Sequence, residues 1–178
     1  QRKEKKDIIF GIHPVIEAIK SEQELNKIMI QRGIDKEHFR ELKDVLADKD
    51  YYIQYVPIQK LNTLTSGNHQ GVVAFVTPIA YQNIETLVDK WVEEEKKPCI
   101  LALDRITDVR NFGAIARSAE CQGVDAILIP SKGSALVTAD AVRTSSGALS
   151  RIPVCKTEDL KNSLFYIQQS GYRIVACT

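Results

Sequence analysis

The sequence lacks most of the features that announce a function at sight. It holds one tryptophan, one methionine and no G-x-G-x-x-G run, so the dinucleotide fingerprint of a Rossmann site is excluded. Its four cysteines, Cys99, Cys121, Cys155 and Cys177, include no C-x-x-C pair and no neighbouring histidine pair. That spacing offers no metal site and, at this length, no disulfide scaffold, so no metal is expected. Buried free thiols in a reducing compartment are the plain reading, and the cytoplasm is the expected location. Apolar runs such as Cys99–Leu103 fall far short of the roughly 20 residues that cross a bilayer. The charged start QRKEKKDIIFGI has too brief an apolar stretch for a signal peptide, and Gln1, not being methionine, reads as a boundary rather than a native start. Charge of one sign is missing too. Lys+Arg 24 against Asp+Glu 23 leave +1, so a nucleic-acid partner would have to be held by a local patch.

What is present is a chain of 178 residues, 44% hydrophobic and 26% charged, able to bury a real core. Its pattern gives two α/β segments. In the first, Ile8–Ile9 precede a helix opening near His13-Pro14, with proline early in the helix. KIMIQRG is a strand, and DKEHFRELKDVLADKD places Phe39, Leu42, Val45 and Leu46 on one helical face, with Asp35 as N-cap. YYIQYVP and HQGVVAFVTP are strands around a short helix in PIQKLNTLT. Residues 79–97 carry five acids against three bases and helical spacing of Ile84, Leu87, Val88 and Trp91, which reads as a linker helix. Beyond Pro98, CILALD, DAILIP, RIPVCK and YRIVACT read as strands alternating with helices, the pattern of a parallel sheet of right-handed βαβ units.

The most informative stretch is LDRITDVRNFGAIARSAECQGVDAILIP, Leu103 to Pro130. It sets a strand, a polar loop and a helix start where open α/β sheets bind ligands. Asn111 is a natural N-cap there, and Gly113 and Arg117 stand four apart on one helical face. A glycine one turn before an arginine leaves room for a phosphate or ribose to approach the guanidinium. A capped amphipathic helix with a solvated arginine fits the same spacing. Elsewhere His13, beside its proline, serves as a turn or packing residue or as an RNA contact. His69 and Gln70, in a loop with Gly67 and Asn68, are solvated or read RNA.

This stretch resembles the first signature motif of the SpoU-type (TrmH-like) RNA 2′-O-ribose methyltransferases of the SPOUT superfamily. AVRTSSGALSRIPV resembles the segment that follows it there, and FGIHPVIEAI and HQGVVAFV are similar to the substrate-binding domain of the branch that methylates rRNA guanosine. The resemblance implies an RNA-binding α/β domain over residues 1–77, a linker over 78–97 and a dimerising parallel-sheet, α/β-knot catalytic domain over 98–178. It implies transfer of a methyl group from S-adenosylmethionine to a ribose 2′-hydroxyl of rRNA or tRNA. Arg117 would be essential to that transfer with Asn111 beside it; Gly113, Ser145, Ser146 and Gly147 would lie near the target nucleotide, and His13, His69 and Gln70 would contact RNA. Ala176, Cys177 and Thr178 would supply one wall of the cofactor pocket. The family's remaining pocket motifs, a Glu-containing glycine loop and a Ser-Leu-Asn segment that form the knot, belong beyond Thr178, so the pocket here is expected to be incomplete. The alternative is a non-catalytic RNA-binding or ribosome-associated protein on the same scaffold.

Overall fold

The computed structural model describes residues 7–34, 36–47 and 51–177. Asp35 and Thr178, expected as a helix cap and a pocket residue, lie outside them. The chain divides into two compact units, Gln1–Pro78 and Ile79–Thr178, each with its own sheet.

The first unit has strands β1 (Ile8–Phe10), β2 (Leu25–Gln31), β3 (Ile53–Val56) and β4 (Val72–Val76) in the order β1-β4-β2-β3. β2 and β3 run parallel across the crossover helix α2 (Lys36–Leu46), whereas β4 is antiparallel to both β1 and β2. Strand alternation sorts the side chains. Ile28, Ile30, Val72 and Ala74 pack with Ile16 of α1 (Ile12–Lys20) and Leu42 of α2. Lys27, Met29, Val73 and Phe75 take the opposite face. A short helix, α3 (Ile58–Asn62), buries Leu61 outside the α1–α2 core, and Gly67 in the loop after it lies flat on the Phe10 ring. A Cβ at Gly67 would stand 2.4 Å from that ring, so the close approach requires glycine.

The second unit is a three-stranded parallel sheet, β5 (Ile100–Ala102), β6 (Ala126–Pro130) and β7 (Val154–Thr157), in chain order. Helices cover both faces, and β6 is apolar throughout because it is buried on both. Ile127 and Ile129 meet α5 (Val109–Cys121) and α6 (Ala139–Thr144). Ala126 and Leu128 meet α4 (Ile84–Glu93) and α7 (Leu160–Gln169).

Four expectations change. The helix read as a linker over 78–97 is part of the second unit: Ile84, Val88 and Trp91 of α4 are buried against the sheet, because an amphipathic stripe of that width finds its partner there. Residues Tyr172–Cys177, read as a last strand, pair with no strand, and Ile174 and Val175 are exposed. β-propensity alone does not make a strand, since what it reflects is packing against cross-strand neighbours, and these residues have none among the described strands. Of the four thiols, only Cys155 is buried; Cys99, Cys121 and Cys177 sit on loops, a helix surface and the tail. His69, read as a loop residue that is either solvated or in contact with RNA, is buried at 8% exposure.

Candidate active site

In the second unit the loops after β5 and β6 meet at the carboxyl ends of the strands, where Ala135 N–H donates to the Ile106 carbonyl at 2.7 Å. α5 starts from this rim. Its N-cap is Asp108, not Asn111: the Asp108 carboxylate accepts from the Asn111 N–H at 2.7 Å. Asp108 takes the cap because the helix begins at Val109, one turn earlier than the asparagine suggested, and a carboxylate suits the positive end of the helix. Asn111 is thereby left with its side chain exposed on the first turn.

Arg117 lies two turns further on, exposed, with no hydrogen bond or ion pair to any described residue. Arg110 shares both properties, and a spacing of seven puts it on the same stripe, roughly 10 Å along the helix axis. The sequence reading passed over Arg110, although its spacing from Arg117 was the available signal. The surrounding cations differ. Arg105 is paired with Asp104 at 3.3 Å, Arg143 with Asp140, and Arg151 with Glu120.

Gly113 is buried, and not against open space. A Cβ there would stand 2.8 Å from Thr144 Cβ and 2.9 Å from the Ala141 carbonyl oxygen. The residue lets α5 and α6 touch; it does not leave room for a ribose. Beyond α6 the chain turns through Ser146 and Gly147, both at positive φ (53° and 84°). Ser145 at the turn is fully buried, its hydroxyl donating to the Val142 carbonyl at 2.7 Å and accepting from Leu149 N–H at 3.2 Å. Ser145 is therefore a brace for the turn and presents nothing to a ligand, whereas Ser146 is exposed.

The turn is tied to the far end of α5 by a pair that sequence reasoning missed. Arg151 makes a two-armed contact with the Glu120 carboxylate, one arm at 2.8 Å, and also donates to the Ser146 carbonyl at 3.3 Å. The hydrogen bond from Arg151 holds the Glu120 carboxyl below the usual range, and Glu120 in turn raises the Arg151 guanidinium. Thus one charged pair fixes the Ser146–Gly147 turn relative to the helix that carries Arg117.

In the first unit the expected RNA contacts are largely spoken for. His69 accepts the Gly71 N–H at its Nδ1 (3.0 Å), which leaves Nε2–H to donate to Asn62 Oδ1 at 2.7 Å. Gln70, at φ 47°, uses its side-chain oxygen to accept the Ile12 N–H at 3.2 Å, capping α1 from 58 residues away. His13 is exposed on the first turn of α1, 4.0 Å from Glu41. Of these three, His13 and Gln70 are exposed and His69 is buried.

The described residues do not by themselves fit S-adenosylmethionine. Ala176 and Cys177 are exposed coil and wall no cleft. The open groove of about 400 Å³ along α5 and β5 is lined by Leu101, Ala114, Ile115, Val124 and neighbours, with no charged group to meet a sulfonium or a carboxylate.

Comparison with known proteins gives two family matches. Residues 8–82 match an RNA 2′-O-ribose methyltransferase substrate-binding family, and residues 98–178 match the SpoU rRNA methylase family. A protein of Staphylococcus saprophyticus named as a TrmH family tRNA/rRNA methyltransferase is 34% identical over 168 residues, covering 94% of this chain and 68% of that protein. Its counterpart in Staphylococcus aureus is 33% identical over 165 residues, covering 93% and 66%. Among solved structures, an AdoMet-bound rRNA methyltransferase from Sinorhizobium meliloti aligns with TM-score 0.44 at 18% identity, over 92% of this chain and 58% of that one. The SpoU methyltransferase AviRb from Streptomyces viridochromogenes, with AdoMet, aligns with TM-score 0.41 at 17% identity, over 91% and 59%. The chain thus spans about two thirds of the length of these curated relatives and about three fifths of these structures.

Proposed function

Because the chain belongs to the SpoU/TrmH family of RNA methyltransferases, we propose that its protein methylates a ribose 2′-hydroxyl of rRNA or tRNA, on a guanosine, in the cytoplasm as a homodimer. Residues 1–77 bind the RNA, and residues 98–178, on which α4 packs, carry the reaction. The cofactor of the family is S-adenosylmethionine, which when bound supplies an already activated methyl group.

The observation that carries the reading is the unpartnered Arg117 on the helix opening at the sheet's carboxyl edge. A guanidinium in a protein does not give up its proton, so Arg117 serves as a fixed cation rather than a base. It anchors a phosphate beside the target ribose and stabilises negative charge developing on the 2′-oxygen, as preorganised donors do in other enzymes. Asn111 orients the ribose, and Arg110 takes a second phosphate along the same stripe. Ser146 and Gly147 form the turn facing the nucleotide; Glu120 and Arg151 act through that turn as positioning residues. Holding the reacting groups in place is the greater part of what the protein has to do, because effective concentration alone can supply roughly 7–11 kcal/mol.

The test is transfer of tritium from methyl-labelled S-adenosylmethionine to ribosomal RNA and tRNA, followed by alkaline hydrolysis. A 2′-O-methyl group blocks cleavage of its own phosphodiester, so label is expected in alkali-stable dinucleotides. Label released in mononucleotides would place the methyl on a base. RNA binding without any transfer would favour the non-catalytic alternative.

A further inference from the structure

In the first unit, His69 at the HQG loop is buried and the Gln70 side-chain oxygen caps α1, which leaves open what the sheet offers a polyanion. The face opposite α1 and α2 supplies an answer. Lys27 on β2 stands directly across from Phe75 on β4 in the antiparallel register, with its ammonium 4.8 Å from the ring centroid. Lys27 is half-buried, and it makes no ion pair or hydrogen bond with a described residue. Lys60 on α3, exposed, has no such partner either. The two lysines come from different elements yet lie close enough that the field of Lys60 adds to burial in lowering the Lys27 ammonium. No carboxylate is among the groups acting on Lys27.

A half-buried ammonium in the field of a second cation, with no carboxylate among the described groups that act on it, is a net cost to the isolated fold. The ring of Phe75 offsets part of that cost, as an aromatic face does for a cation above it. An anion between the two ammonium groups would remove the repulsion outright. We propose that Lys27 and Lys60, over the Phe75 floor, form a phosphate-binding site through which the first unit grips the backbone of its RNA substrate. The inference rests on the reading of the chain as an RNA methyltransferase and adds to it where the substrate's backbone lies: on the α3 side of the sheet and not at the His69–Gln70 turn, where His69 is buried and the Gln70 side-chain oxygen is taken up by the Ile12 N–H. Lysine suits this task, being a compact point charge that grips a phosphate without dictating sequence.

The test is fluorescence anisotropy of the full chain with a labelled 20-nucleotide oligo(U) and a labelled mixed-sequence hairpin, across a series of salt concentrations. Each lysine that neutralises one phosphate contributes about 0.7 to the single-strand slope of log affinity against log salt. Lys27→Ala and Lys60→Ala are each expected to reduce the slope by about that much and to weaken binding several-fold at low salt, with Lys27→Arg retaining it. Lys90→Ala, which removes a lysine paired with Glu94, is expected to match wild type. Because Lys60 is exposed, its variant keeps the test meaningful if Lys27→Ala melts early. Wild-type binding with unchanged slope and affinity in both alanine variants would overturn the site while sparing the functional reading. An equal loss in Lys90→Ala would also overturn it, reducing the effect to net charge. Failure of the wild-type chain to bind either RNA would overturn the site and the functional reading together.

Discussion

Gly113→Ala separates two roles for the glycine that precedes Arg117 by one turn. In a helix interior the substitution alone would stabilise by about 1 kcal/mol, since alanine is the better helix former. Here the added methyl would stand 2.8 Å from Thr144 Cβ, 2.9 Å from the Ala141 carbonyl oxygen and 3.1 Å from Thr144 Cγ2. Two of those atoms are backbone or the root of a side chain, so no rotamer change clears them, and α5 must move away from α6. Overpacking of this kind costs roughly 1–3 kcal/mol. Subtracting the propensity gain leaves a net loss of about 1 kcal/mol, or roughly 4–8 °C in Tm for a unit of this size. The assay is built in. The sole tryptophan, Trp91, lies in the core of the second unit, so its fluorescence through a urea titration reports that unit's unfolding. A Gly113→Ala protein as stable as wild type but poor in RNA binding or methyl transfer would refute the packing argument. It would restore the glycine to a ligand-facing role.

Three further outcomes are expected. Under native conditions a maleimide should label Cys99, Cys121 and Cys177 but spare Cys155, whose thiol burial, with a smaller contribution from Glu85, pushes up to about 12; intact-mass analysis showing a fourth adduct before unfolding would contradict that. The Glu120 carboxyl is held low by the Arg151 hydrogen bond, so its contribution to stability is full above the ordinary carboxylate range and fades as pH falls through the lowered folded value. The urea midpoint of wild type should accordingly exceed that of Glu120→Gln at pH 7 and converge on it in acid, and a gap that does not vary with pH would count against the pair. In limited proteolysis, α4 should resist because Ile84, Val88 and Trp91 are core residues; early cuts within Ile84–Trp91 would return it to the status of a linker.

The sequence was most legible where period and burial coincide. The run DAILIP read as a strand and AILIP forms one, and Leu42 and Leu46 with Phe39 and Val45 marked α2 correctly. Capping was misread by one turn, because both Asp108 and Asn111 can cap and only the helix start decides between them. The roles of His69 and Ser145 depend on nearby partners, Asn62 and Leu149, that only the folded turn brings within reach; those of Gln70 and Gly113 were not legible because their partners, Ile12 and Thr144, are distant in the chain. For the same reason the Glu120–Arg151 pair, 31 residues apart, left no local pattern. Composition could not locate the cationic site either, because a net charge of +1 averages over Lys27 and Lys60 and the acids elsewhere.

The central claim is that Arg117 supplies charge to a methyl-transfer reaction on RNA. The direct measurement is turnover of tritiated S-adenosylmethionine on ribosomal RNA by the full-length protein and its Arg117→Ala variant, each checked by thermal melting. Losing one preorganised donor predicts a fall of about 10²–10³ in rate with little change in melting temperature or RNA affinity. A folded Arg117→Ala protein that turns over at the wild-type rate would contradict the account.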